Sequence, residues 1–440
     1  MQSDWPLVRL GEIAKVIHGW PFKSELFAPD DGVSPVVVGI GNYKYSGGFR
    51  FDATGRKVYK GDFPTSFQLK PFDILLVMTC QTEGGEILGI PGTIPDDGRI
   101  YLHNQRMGKV VVTKPDLVSK RFLYWLCLTK DFNDELKASA TGTKILHTAP
   151  SRIEDYVFPL PSLDLQHRIS SILDELEYRI ETNEHMNREL EALLSVVFRS
   201  WFVEFEPVLA KADGRRPVAL DDELTALFPS EYEEVSGMIV PKGWGVLPLD
   251  GIADFKNGLA LQNYPANESG TLPIVKIAEL RAGSTEGAEL AAADVPAEVI
   301  LDDGDVVFSW SGTLMARIWC GGKGALNQHL FKVTSNRFPK WFYYCWTLEH
   351  LPEFQDIADD KKTTMGHIKR HHLTDAKVTI PPPLLMEAAN RILSPLLERH
   401  VLNSIQSRAL TKLRDALLSP LMSGEFLLPD VGRRLETALA

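Results

Sequence analysis

Two kinds of apolar spacing alternate along the chain. From residue 173 to 201 the positions Leu173, Leu176, Ile180, Asn183, Asn187, Leu190, Leu194, Val197 and Trp201 step by three and four. All but the two asparagines are apolar, which is the seam pattern of a coiled-coil helix. The same phase returns at Leu393, Leu396, Asn403, Leu410 and Leu417. Each stretch follows a proline stop, Pro159-Leu-Pro161 or Pro381-Pro-Pro383. About 40 residues of helix extend roughly 60 Å. A helix with such a seam needs a partner, and the other copy supplies one. Antiparallel pairing brings together the helix middles, where Asn183 and Asn403 are equivalent. A buried asparagine there costs stability and fixes register; on imperfect heptads both would instead point to solvent.

The rest of the chain carries short β-type runs. Val36-Val-Val38, Ile74-Leu-Leu-Val77, Lys109-Val-Val-Val112, Val306-Val-Phe308 and Phe331-Lys-Val333 are punctuated by Gly, Pro, Asn and Asp, as strands between turns are. Helices are expected around 120–138 and 338–358. The pattern predicts an α+β chain with β-rich domains over 1–160 and 241–382. Long helices follow over 161–206 and 383–424, paired as an antiparallel coiled coil. A linker at 207–240 and a tail at 425–440 complete the partition.

These parts are a duplication with a repeat of roughly 220 to 240 residues. The segment Trp5–Ala14 matches Trp244–Ala253, and Pro71–Leu76 matches Asp303–Phe308. Asn104-Gln105-Arg106 matches Asn327-Gln328-His329, Phe122–Trp125 matches Trp341–Tyr344, and Thr143–Pro161 matches Thr363–Pro381. The order is kept and the spacing drifts only by loop lengths. A protein repeated in this way offers equivalent surfaces to two copies of a partner.

The formal charge of −11 counts against DNA binding on its face, because phosphate contacts need clustered cations. Binding depends on local patches, however, and partners in a complex contribute charge of their own. Weak DNA binding by the chain alone is expected. Cys80, Cys127, Cys320 and Cys345 stand singly, without ligand or redox spacing. Neither a signal peptide nor a membrane-length apolar run is visible, so a cytoplasmic protein with reduced cysteines and no membrane contact is expected.

Two segments carry a family likeness. Phe198-Arg-Ser-Trp-Phe-Val-Glu-Phe-Glu-Pro-Val208 resembles the end of the central helical region of type I restriction-modification specificity subunits. Leu413-Arg-Asp-Ala-Leu-Leu-Ser-Pro-Leu-Met-Ser-Gly-Glu-Phe426 resembles the end of their distal one. With the prolines before each helix and the Trp-led openings of both repeats, the resemblance covers essentially the whole chain. It implies two target-recognition domains, each reading one half of an asymmetric bipartite site in double-stranded DNA, with the helices as a ruler for the unread gap. It also implies two methyltransferase subunits that methylate adenine and two motor-nuclease restriction subunits. S-adenosylmethionine, ATP and magnesium would belong to those partners, and this chain would bind no cofactor and catalyse nothing.

Catalytic motifs are lacking. An [Asn/Asp]-Pro-Pro-[Tyr/Phe] methyltransferase motif does not occur, and Gly39-Ile-Gly41 and Gly321-Gly-Lys-Gly324 depart from nucleotide-binding fingerprints. His371-His372 lacks a second pair of metal ligands. A degenerate methyltransferase or nuclease, a scaffold that reads no DNA, and a recognition or scaffold subunit of a related phage-defence complex with another effector are the competing readings.

Candidate DNA contacts follow from the chemistry of phosphates and base edges, which favour Lys, Arg, Asn and Gln. The first domain offers Lys23, Gln81, Thr82, Asn104, Gln105, Arg106, Thr143 and Lys144. The second offers Ser311, Thr313, Arg317, Asn327, Gln328 and His329, with the basic stretch Lys361, Lys362, Thr363, Thr364, Lys369 and Arg370. Asn and Gln also hold turns. Arg179, Arg188, Arg399 and Arg408 on the helices either touch phosphates or pair with carboxylates one turn away. Trp201, Phe202, Phe205, Leu421 and Phe426 are more apolar than a solvated linker requires. They are candidates for docking partner helices or for packing back on the core.

Overall fold

A computed structural model describes residues 5–44, 46–49, 56–82, 84–268, 270–359 and 366–426. The chain forms two compact units, Met1–Tyr178 with Leu410–Ala440, and Arg179–Ala409. Each unit thus takes one β-rich domain, the first part of the long helix that follows it, and the last part of the other long helix. The boundaries fall inside the helices because their first turns are fastened to the preceding domain. Gln166 is buried, donating from Nε2 to Leu117 O and Pro161 O (2.9 Å each) and accepting from Ser119 N at 2.8 Å. Asp174 accepts from Arg121 Nε (2.6 Å) and Trp125 Nε1 (2.7 Å). In the second unit Trp341 Nε1 donates to Asn390 Oδ1 at 3.0 Å.

The duplication seen in the sequence is a duplication of sheets. Unit 1 has a four-stranded antiparallel sheet in the order Ala14–His18, Met107–Val112, Ile74–Val77, Pro91–Thr93. Unit 2 repeats it as Asp254–Asn257, Leu330–Thr334, Val306–Ser309, Met315–Ile318. Ile74–Val77 and Val306–Ser309 are buried at every position, so Ile74–Val77 and Val306–Phe308 read as unbroken apolar runs rather than alternating ones. A second sheet contains one parallel pair in each unit, Val36–Val37 with Tyr101–Leu102 and Thr271–Val275 with Gly324–Leu326. Lys109 meets Asp73 at 2.8 Å in unit 1 and Lys332 meets Asp305 at 2.7 Å in unit 2. Finally, Leu7–Arg9 pairs with Val157–Pro159, and Gly245–Pro248 with Lys377–Ile380. The chain therefore enters and leaves each domain side by side, directly before its long helix.

The single helix expected around 120–138 is two, Lys120–Leu126 and Lys130–Ser139, because Thr129 caps the second through Phe132 N. Its counterpart also divides, into Lys340–Glu349 and Leu351–Asp359. Pro352 near the new start cannot continue the preceding hydrogen-bond ladder.

The long helices are Leu163–Phe198 and Pro383–Ser423, the first ending in a π-helical turn at Arg199–Val203. They pair antiparallel. In unit 2 Asn183 Nδ2 donates to Gln406 Oε1 (3.0 Å) and Asn403 Nδ2 to Asn187 Oδ1 (2.9 Å). Asn187 Nδ2 donates to Ser404 Oγ (2.9 Å), and His400 Nε2 lies 2.8 Å from Glu191 Oε1. In unit 1 Arg414, almost fully buried, pairs with Glu177. Asn183 and Asn403 are both buried in the seam. Each bonds to a different residue of the opposite helix, because the register offsets the two equivalent positions by about one turn.

Two further expectations are corrected. Residues 207–240 are not a bare linker, since they form helices Glu206–Ala212 and Asp222–Ala226 and a hairpin of Tyr232–Val235 with Met238–Pro241. Val208, Leu220, Phe228 and Val240 from this segment join the unit 2 core. Trp201 and Phe202 belong to the same core, with Phe202 5.4 Å from the Trp341 ring and Trp201 5.6 Å from Phe228. Leu421 is likewise buried, in unit 1. These three side chains pack inward and have no face to offer a docking partner. Phe205 and Phe426 remain half-buried.

Candidate nucleic-acid interface

The candidate segments of unit 1 meet in one backbone ladder. Trp20 forms a parallel bridge with Asn104, its N donating to His103 O (2.8 Å) while Gln105 N donates to Trp20 O (3.0 Å). Next in the ladder, Met78 N donates to Arg106 O (2.9 Å) and Thr148 N to Met78 O (3.0 Å). Thr79–Cys80 pairs with Leu146–His147, and Thr141 closes on His147. Segments far apart in sequence are thus held in the order 20, 103–106, 78–80, 146–148 and 141.

Unit 2 repeats this ladder. Leu259 bridges Asn327, Trp310 N donates to His329 O (3.4 Å), Ile368 N donates to Trp310 O (3.1 Å), and Ser311 bridges His367. The close approach explains two glycines. A Cβ on Gly19 would stand 2.2 Å from Asn104 O, and one on Gly258 would stand 2.3 Å from Asn327 O.

Side chains on the ladder differ in what they have free. Lys23, Gln81, Gln105, Arg106, Thr143 and Lys144 are exposed and make no side-chain hydrogen bond or ion pair among the described residues. Thr82 is exposed but donates its hydroxyl to Glu86 at 2.5 Å. Asn104 Oδ1 accepts from Arg106 N (3.0 Å) and Asn327 Oδ1 from His329 N (3.3 Å), so both asparagines spend their oxygen on the turn. Asn327 and Ser311 are buried, Ser311 Oγ lying 2.9 Å from His329 Nδ1. As side chains that reach DNA directly, these two expectations are corrected. Gln328 is half-buried, its Oε1 without a hydrogen-bond partner among the described residues.

Thr313 and Arg317 converge on a residue not anticipated from sequence. Arg281 Nη2 donates to Thr313 Oγ1 (2.7 Å), and Arg317 Nη1 donates to Arg281 O (3.1 Å). Nothing local marks Arg281, since the contact joins segments about 30 residues apart. Lys369 and Arg370 are exposed; Arg370 lies over the Phe331 ring at 5.5 Å and donates to Phe255 O at 3.3 Å. Lys361, Lys362, Thr363 and Thr364 lie outside the described residues. Arg408 is committed elsewhere, its guanidinium paired with both oxygens of Asp303 (2.6 and 2.7 Å).

His103 lies beneath the unit 1 ladder, with Nε2 donating to Met107 O at 2.9 Å. Burial lowers its pKa to about 4, and nearby Lys109 pushes the same way. Among the described residues no group of His, Cys, Asp and Glu stands together as metal ligands would, and no helix is long and apolar enough to cross a membrane.

The family model described as the type I restriction modification DNA specificity domain matches residues 2–192 and 241–402. The MjaIX specificity subunit of Methanocaldococcus jannaschii is 26% identical over 330 residues, covering 72% of this chain and 71% of that protein. The HindI specificity subunit of Haemophilus influenzae is 22% identical over 393 residues, covering 75% and 84%. In fold the chain is similar to the crystal structure of a type I restriction-modification S subunit from M. genitalium. That likeness has a TM-score of 0.58 at 15% identity, over 95% of this chain and 96% of that one.

Proposed function

Because this chain belongs to the type I restriction-modification DNA specificity family, a family of recognition rather than catalytic subunits, we propose that its two repeated domains read the two halves of one bipartite, asymmetric DNA site. The observation that carries this reading is the repeated ladder with unlike side chains. Both units carry equivalent ladder segments, yet unit 1 exposes Gln81, Gln105, Arg106 and Lys144 along them, whereas unit 2 exposes Lys369 and Arg370. Like scaffolds with unlike donors suit two half-sites of different sequence.

In this reading the paired helices set the unread gap between half-sites, in keeping with readers about one turn of duplex apart, ~34–36 Å. Two methyltransferase subunits dock on the repeated surfaces, and two restriction subunits join the full complex. S-adenosylmethionine, ATP and magnesium belong to those partners.

The test is a methylome read by single-molecule sequencing in cells with and without this gene and a cognate methyltransferase gene. An adenine-methylated motif of two short blocks around a fixed gap, present only with both genes, is the expected result. A complex that forms without such a motif would instead favour a scaffold or a different effector.

A further inference from the structure

Unit 2 contains a cleft of about 240 Å³, among whose walls are Asn257, Trp310, Phe331, His367, Lys369 and Arg370. Two features of this cleft point to a ligand. The first is an unused donor. Trp310 packs between the rings of Phe331 (5.8 Å) and His329 (6.0 Å), and its buried Nε1 has no acceptor among the described residues. A buried N–H left without an acceptor is costly, so such groups are rare unless something supplies one. The second is a fixed cation. Arg370 is held over Phe331 and spends one of its guanidinium's five donors on Phe255 O, leaving a forked donor set on a restrained side chain beside Lys369.

The ladder and strand registers identify the corresponding positions in unit 1. Met78 takes the place of Trp310, Gly108 of Phe331, His18 of Asn257, and Ala149-Pro150 of Lys369-Arg370. The aromatic walls and both cations are therefore confined to unit 2. Every polar group named there except His367 and the Asn257 carbonyl is a donor.

We infer that this cleft takes an acceptor-bearing edge of the unit 2 half-site, either guanine O6 and N7 or a phosphate oxygen. Arg370 and Lys369 supply the charge, and Trp310 Nε1 is a fixed donor. The inference rests on the recognition reading above. It adds that the two readers differ in kind: unit 1 presents exposed side chains on a ladder, whereas unit 2 adds a recessed donor site.

The test uses the complex with its methyltransferase partner and duplexes carrying the methylated motif, each varied at one position, with binding followed by fluorescence anisotropy. Arg370→Gln is expected to weaken binding on the order of ten- to a hundredfold, and Trp310→Phe, which keeps the ring and removes the N–H, by less. If the acceptor is guanine, wild type discriminates at one position of one half-site and Arg370→Gln loses that discrimination. If it is a phosphate, the loss is uniform across duplexes and the slope of log K against log salt falls by about one. Arg370 is exposed, so that variant decides the matter even if Trp310→Phe unfolds. Arg370→Gln binding and discriminating as wild type does overturns the inference while leaving bipartite recognition intact. Wild-type complex that binds no motif overturns both.

Discussion

At His103 an imidazole is held almost out of contact with water, under the backbone ladder that carries Asn104, Gln105 and Arg106. Burial disfavours its charged form and lowers the pKa from 6.5 to about 4, while Lys109 and His18 add to the effect and Asp73 opposes it. The unfolded chain therefore binds a proton here that the folded chain does not. Stability is fully present above pH 6.5 and is lost as pH falls toward 4. Between pH 7 and pH 5 this one group is expected to cost on the order of 2 kcal/mol. Urea melts of wild type and His103→Gln over that range check it, with the variant showing the shallower dependence. Parallel curves would mean that other groups set the acid limit.

At the scale of elements, the ladder depends on two crossings too tight for any side chain. The Cβ of an alanine at Gly258 would meet Asn327 O and Leu326 O at 2.3 Å, and both obstacles are backbone. Gly258→Ala is expected to cost about 2–3 kcal/mol, at the upper end of overpacking penalties, and to disturb the segments around Leu259 and Asn327. Gly41→Ala, with nothing within 4 Å of the added carbon, should stay within about 0.5 kcal/mol of wild type. Chemical denaturation of the two variants measures the difference. Equal stabilities would show that the crossing relaxes without strain.

For the whole molecule, the charge of −11 sets a long-range field that repels DNA, even though Lys23, Arg106, Lys144, Lys369 and Arg370 are exposed on the candidate segments. Such a chain gains little from release of counterions. Its affinity for a duplex bearing the methylated motif is expected to rise at least about tenfold when the methyltransferase partner is added at fixed salt. Titrations by anisotropy at two salt concentrations check this. Tight selective binding by the isolated chain would show that its own patches suffice.

The sequence by itself determined the duplication, the β-rich domains and the two long helices, because strand and helix periods are local properties written into successive residues. Leu173, Leu176 and Ile180 are buried along the seam where the three-four spacing puts them, and Asn183 and Asn403 interrupt it from inside. The candidate segments too were legible, as Gly-, Asn- and Lys-bearing loops at matching places in the repeat. The tertiary structure decided what depends on contacts between distant residues. It set the helix register that joins Asn403 to Asn187 rather than Asn183, and it absorbed the segment 207–240 together with Trp201 and Phe202 into the unit 2 core, deciding between the docking and inward packing that their apolar bulk left open. It also gathered Asn257, Trp310 and Arg370 around one cleft. Burial and hydrogen-bond pairing are properties of the folded neighbourhood, and a side chain's spacing along the chain says which way it faces without saying what it will meet.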